Sequence, residues 1–119
     1  MSEPHETLAA YFAAMRRGAD AEADMLALFA SDAVYEEPFS GQPQPARGIE
    51  EIRDRLRMGW ADPLPDLELE VLSVDVVGDR ASSQWECRSS ALPGPVRGTD
   101  HYEFRDGRIS LLRVSLDAP

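Results

Sequence analysis

Apolar residues recur at helical spacing through the first half of the chain and at every other position through the second. Leu8, Tyr11, Phe12 and Met15 stand at i, i+3, i+4 and i+7, which predicts a helix over residues 6–17 with one apolar stripe. Arg16 and Arg17 suit its C-terminal end, and Gly18 can stop it. A second, short helix is predicted over 21–30, with Glu22 and Asp24 in its first turn and Met25, Leu26, Leu28 and Phe29 on its buried side. Ser31-Asp32 breaks it, and Ala33–Glu37 reads as a short strand stopped by Pro38. A loop rich in Pro, Gly and Gln runs from Phe39 to Arg47. The third helix, Gly48 to Trp60, lines up Ile49, Ile52, Leu56 and Trp60, with Glu51 and Arg55 as an i,i+4 pair on the other side. Asp62 to Asp66 closes the helical half.

Period two then takes over. Strands are predicted at Leu67–Val77, Arg80–Ala91, Val96–Arg105 and Arg108–Leu116, joined by turns at Gly78-Asp79, Pro93-Gly94-Pro95 and Asp106-Gly107. The inward phase slips near Val71 and again at Leu111-Leu112, which predicts bulges or sharp bends. Three helices followed by a bent antiparallel sheet of four long strands and one short one make an α+β fold. A sheet bent around helices leaves a concave pocket between them. No repeat or interdomain linker interrupts the chain, so residues 1–119 read as one domain.

Composition narrows the function classes. The 119 residues carry 22 acidic and 12 basic side chains, a net charge of −10, which argues against nucleic acid and against anionic membrane surfaces. The single cysteine, Cys87, excludes an intrachain disulfide and reads as a small inward-facing hydrophobe. Met1-Ser2-Glu3-Pro4-His5-Glu6 lacks the chemistry of a signal peptide, and no apolar run approaches the ~20 residues of a membrane span. A cytoplasmic location is the expectation.

One residue breaks its own pattern. In Val96–Arg105 the odd positions Arg97, Thr99, His101, Glu103 and Arg105 are polar, so Asp100 falls on the apolar face between Gly98 and Tyr102. A carboxylate there must either pair with a cation such as Arg113 or rise in pKa and hold its proton. His101 belongs to the solvated face. Glu36 and Glu37 are adjacent, so only one can point inward from a strand, and alternation does not choose between them. Tyr11 sits within the apolar stripe of the first helix, where a buried tyrosine normally finds a partner for its hydroxyl.

Taken together, these segments resemble a known family. Tyr11, Gly18 and the run Leu28-Phe29-Ala30-Ser31-Asp32-Ala33-Val34-Tyr35-Glu36-Glu37-Pro38-Phe39 are similar to the ketosteroid isomerase branch of the nuclear transport factor 2-like superfamily. So are Asp100-His101-Tyr102-Glu103-Phe104 and the Asp106-Gly107-Arg108-Ile109 hairpin. The resemblance spans essentially the whole chain. It implies three N-terminal helices on a strongly bent, mixed but mainly antiparallel sheet, shaped as a cone-like barrel with an internal pocket.

In that family's chemistry, Glu37 would be the general base, moving a proton next to the ketone of a steroid or similar apolar enone. Tyr11 and protonated Asp100 would donate hydrogen bonds to the enolate oxygen. Phe12, Phe39, Leu56, Trp60, Trp85 and Tyr102 would line the ligand site. No metal or organic cofactor is implied.

The chain departs from the family pattern in using Glu37 where aspartate is usual, and in placing Leu56 where a tyrosine supports the catalytic one. Two extra residues also fall near Ala19-Asp20-Ala21. Two other functions fit the same fold. One is a SnoaL-like polyketide cyclase or other carboxylate-based lyase or hydrolase; the hydrolase version suffers because Arg97 and Asp100 should face opposite ways. The other is a non-enzymatic, dimeric module that binds a small apolar ligand. By resemblance, a homodimer would form through the outer sheet face.

Overall fold

The computed structural model describes residues 4–61 and 63–117. Met1 to Glu3 of the polar N-terminal segment and Asp62 of the closing loop lie outside the described residues.

Helix α1 spans Pro4–Arg17 and buries Leu8, Tyr11 and Ala14, while Met15 at the end of the stripe stays partly exposed. Gly18 ends it with φ +67°, a left-handed conformation that glycine adopts without a Cβ penalty. A 3-10 turn, Gly18–Ala21, leads into α2, which is only Glu22–Leu26. The predicted helix over 21–30 is therefore corrected: Phe29 and Ala30 already belong to strand β1, Phe29–Glu36. The apolar run Met25–Ala30 satisfies either period, and tertiary pairing decides it, because Phe29 pairs with Ile109 and the Ile109 amide donates to the Leu28 carbonyl at 2.8 Å.

The loop after β1 contains a two-residue strand, β2 (Ala46–Arg47), and α3 follows over Gly48–Ala61 with Ile52 fully buried. Glu51 does not pair with Arg55. Its Oε1 accepts the Arg47 amide at 3.1 Å, and Arg55 turns to other partners described below.

Four long strands complete the chain: β3 Glu68–Val77, β4 Arg80–Arg88, β5 Val96–Arg105 and β6 Arg108–Leu116. The sheet order is β2-β1-β6-β5-β4-β3. Every neighbour is antiparallel except β1 with β6, so the sheet is mixed. It is bent but open, with β2 and β3 at its edges rather than paired into a closed barrel. The β3–β4 register shifts between Val71 and Ser73, where the apolar phase slips. The β5–β6 shift leaves Ser110 unpaired, one residue before the slip read at Leu111-Leu112. Asp106 and Gly107 both have positive φ, as a two-residue hairpin of this kind requires. Thr7 Oγ1 donates to the Gly107 carbonyl at 2.7 Å and ties α1 to that turn.

The helices cover the concave face, and the core beneath them includes Leu8, Tyr11, Met25, Phe29, Ile52, Tyr102, Phe104, Ile109 and Leu112. No helix among the described residues is long and apolar enough to cross a membrane.

Candidate active site

A cavity of about 220 Å³ opens between α1, β1 and the inner face of β3–β6. Its walls are Phe12, Met15, Phe39, Trp85 and Val114, with Leu64, Leu67, Leu69 and Val71 along the β3 side. The polar lining groups are Tyr11, Tyr35, Cys87 and Asp100. Among the described residues no arginine or histidine lines it. A larger cleft of about 520 Å³ lies where α1 meets the Asp106-Gly107 turn. Ala10, Ala27 and Leu28 line it beside Glu6, Asp106 and Arg108, and these three charged groups are all exposed.

Asp100 faces this cavity because β5 alternates strictly, and only 3% of the residue is exposed. The indole Nε1 of Trp85 donates to Asp100 Oδ1 at 2.9 Å, and the Tyr102 hydroxyl donates to Oδ2 at 3.0 Å. Ser83 Oγ lies 2.8 Å from the Tyr102 hydroxyl. Since the tyrosine proton points to Asp100, Ser83 is the donor in that bond. No cation pairs with Asp100 among the described residues. Arg113, the partner that spacing suggested, donates instead to Glu36 Oε2 at 2.7 Å. Burial raises the Asp100 pKa above the ordinary carboxyl value of 3.8. The bonds from Trp85, Tyr102 and Ser83 and the neighbouring His101 pull it down without cancelling that rise.

Tyr11 reaches the cavity from α1, edge-on to Tyr102 with ring centroids 5.8 Å apart. Its hydroxyl has no hydrogen-bond partner among the described residues. Burial raises its pKa well above 10, and the Asp100 charge pushes it further the same way. Tyr35 on β1 is a second phenol in the lining, raised likewise by burial and then by Glu37 and Asp100. Both phenols therefore stay protonated and able to donate.

Glu37 is placed differently from a free base. Strand β1 ends at Glu36, and the chain turns before Glu37 can follow Tyr35 into the cavity. Its carboxylate instead closes the loop behind the cavity wall. Oε2 accepts the amides of Phe39 at 2.6 Å and Ser40 at 2.9 Å; Oε1 accepts the Ser40 hydroxyl at 2.5 Å and Arg55 Nη1 at 3.1 Å. Its side chain is 4% exposed. Burial alone would raise its pKa, but the Ser40 hydroxyl, the two amides and the Arg55 guanidinium together bring it below 4.5. Four acceptor positions are thus filled, and the carboxylate holds its charge.

Of the expected ligand contacts, Phe12, Phe39 and Trp85 line the cavity. Tyr102 stands behind it, occupied with Asp100 and Ser83. Leu56 packs against the core from α3, and Trp60 lies beside Gly18 at the far end of that helix. Leu56 follows the apolar stripe of α3 into the core, whereas Trp60 lies against the turn after α1; neither is among the residues that line the cavity. Tyr35, Arg55, Leu64, Leu67 and Leu69 were missed by sequence reasoning; Leu67 and Leu69 carried a signal in sharing one predicted strand face.

Among the described residues no group of three His, Cys, Asp or Glu side chains is placed to hold a metal. On the outer face Glu86 is covered by the guanidinium groups of Arg88 and Arg97, the latter at 3.0 Å, so Arg97 and Asp100 do lie on opposite sides of the sheet.

The SnoaL-like domain family model matches residues 8–112. No curated protein matches the chain significantly. Among solved structures, a Sinorhizobium meliloti protein provisionally named a polyketide cyclase is 25% identical, with a TM-score of 0.73 over 92% of this chain and 94% of that one. A Kribbella flavida protein provisionally named a ketosteroid isomerase is 18% identical, with a TM-score of 0.75 over 98% and 78%. A nuclear transport factor 2-like protein of unknown function from Burkholderia pseudomallei is 17% identical, with a TM-score of 0.77 over 98% and 92%.

Proposed function

The chain belongs to the SnoaL-like domain family, within the nuclear transport factor 2-like superfamily, and from that premise we propose that it moves a proton at the carbon beside a ketone in a small uncharged ligand. In this reading Asp100 carries the proton and Tyr11 holds the ketone oxygen. The observation that carries it is Asp100 itself: among the described residues the one carboxyl group lining this apolar cavity and unpaired with a cation, its pKa raised by burial.

An Asp100 carboxylate oxygen takes the proton as the C–H bond breaks, and the electron pair moves through the carbonyl to its oxygen. Tyr11, and Tyr35 beside it, donate hydrogen bonds to that enolate. Donors fixed in a water-poor site favour the developing charge over the neutral ketone. A raised pKa makes Asp100 a stronger base than a free carboxylate while Trp85 and Tyr102 hold it in place. Glu37, with filled acceptors and a lowered pKa, has a positioning role in this scheme: it fixes Phe39 in the cavity wall.

Two outcomes share this first step. If Asp100 returns the proton two carbons away, the double bond shifts and the reaction is an isomerisation. If the enolate carbon attacks a second carbonyl of the same ligand, Asp100 protonates the new alkoxide and a ring closes. The Sinorhizobium meliloti relative's provisional name favours the second outcome.

Deuterium exchange at the carbon beside a model ketone, followed by NMR in D2O, tests the shared step. Wild type should exchange it faster than buffer, and Asp100→Asn should not. Exchange at the buffer rate, or exchange undiminished in Asp100→Asn, would overturn the proposal.

A further inference from the structure

The cavity is small for a whole ligand. An apolar cavity of ~150 Å³ accepts benzene, whereas sites for drug-sized ligands hold roughly 300–1,000 Å³. At about 220 Å³ this cavity suits one ring and a few further atoms. Its mouth is unusual in a second way. Among the described residues nine large hydrophobics are exposed, and four of them, Met15, Phe39, Leu64 and Leu67, border this one opening. Phe39 is 62% exposed and Leu67 50%. Scattered exposed apolar residues need no cause, but a ring of them continuous with a cavity marks a surface that something covers. Phe39 is held there by the Glu37 carboxylate through its own amide, and its ring tilts onto Trp85 with centroids 6.4 Å apart. Met15 adds an adaptable surface opposite.

We infer that the ligand is longer than the cavity: an uncharged carbonyl compound whose polar end reaches Tyr11 and Asp100, and whose apolar chain lies across Met15, Phe39, Leu64 and Leu67. The inference rests on reading the cavity as a carbonyl site. It adds that the rim is a second, chain-binding part of that site. Among the described residues no cation lines the cavity, which sets the ligand's charge, and the shortfall in cavity volume sets its length.

A homologous series of alkyl phenyl ketones, with matching alkylbenzenes that lack the carbonyl, tests this by calorimetric titration of the full chain. Once the chain is long enough to leave the cavity, each added methylene should still tighten binding about two- to fourfold in both series. Leu64→Ser and Leu67→Ser, at exposed positions, should reduce that increment. An affinity that levels off or falls when the cavity is full would overturn the inference, as would an increment the rim variants leave unchanged, or no binding by either series. A rim variant that instead breaks a dimer, with no chain-length increment in wild type, would assign the rim to a second copy of the chain and overturn it too. If both series gain with length but ketones bind no tighter than alkylbenzenes, the rim stands and the carbonyl reading falls.

Discussion

The indole of Trp85 packs against Gly98, its partner across the β4–β5 ladder, so closely that a Cβ at Gly98 would sit 2.1 Å from Cζ2. The Ser115 carbonyl oxygen would be only 2.7 Å from the same Cβ, so the strand cannot simply retreat. This contact aims Nε1 along β5 to Asp100, two residues away. Gly98 therefore acts on the candidate site without touching it.

Gly98→Ala should force the indole off the sheet and break its bond to Asp100. Overpacking of this kind typically costs ~1–3 kcal/mol, and denaturant unfolding should read a loss in that range. The near-ultraviolet circular dichroism of the tryptophans should change with it. An unchanged spectrum and unchanged stability would mean that Trp85 does not depend on Gly98.

Asp100 should leave a signature in the pH dependence of stability. Burial raises its folded-state pKa above the ordinary 3.8, so the folded protein holds this proton to a higher pH than the unfolded chain does. Its stabilising contribution is full below the unfolded value and is lost as pH rises through the folded one. Relative to wild type, Asp100→Asn should gain stability as pH rises from 3.8 through the folded-state pKa, while proton transfer falls by ~10²–10⁴-fold. A melting-temperature difference that stays flat with pH would contradict the raised pKa.

Legibility differed sharply from residue to residue. Asp100 was readable because β5 alternates without a break through ten residues, so its face followed from its position alone. Glu37 was not, because alternation holds only while the strand lasts. Ala33 and Tyr35 do face inward, but β1 stops at Glu36, one residue short of carrying Glu37 with them. Arg55 was misread for a different reason. Local spacing pairs it with Glu51, whereas its partner Glu37 lies 18 residues earlier and is brought near only by the packing of α3 on β1. The short α2 shows the same limit, since Phe29 obeys helical spacing yet pairs with Ile109 eighty residues on. Local pattern carried the faces of regular strands; contacts distant in sequence had no signal to carry them.

The two phenols beside Asp100 should separate function from stability. Tyr11 has no hydroxyl partner among the described residues to lose, so Tyr11→Phe should leave unfolding free energy nearly unchanged while slowing ketone deuteration by ~10²–10³-fold, as removal of one oxyanion donor does. Tyr102 shares its hydroxyl with Asp100 and Ser83, so Tyr102→Phe should destabilise by ~1–3 kcal/mol through the buried groups it leaves unpaired. Equal losses of stability in both variants would place the Tyr11 hydroxyl in the core rather than in the site.

Glu37 offers the sharpest choice between two roles. A carboxylate with four donors and a pKa below 4.5 stabilises the fold while it is charged. The sign follows from the lowered value: the contribution is present above the unfolded pKa and disappears as pH falls through the folded one. Glu37→Gln should thus be destabilised at neutral pH by ~1–3 kcal/mol, with the difference from wild type shrinking in acid. Arg55→Leu removes a donor from the same carboxylate and should reproduce the neutral-pH loss in kind. Neither variant should lower kcat more than about tenfold, because the chemistry stays with Asp100, whereas KM should rise as Phe39 loses its tether. A general base gives the opposite pattern. Its removal costs ~10²–10⁴-fold in kcat, and Arg55→Leu, which frees the carboxylate and relaxes its pKa upward, would then accelerate rather than impair the reaction.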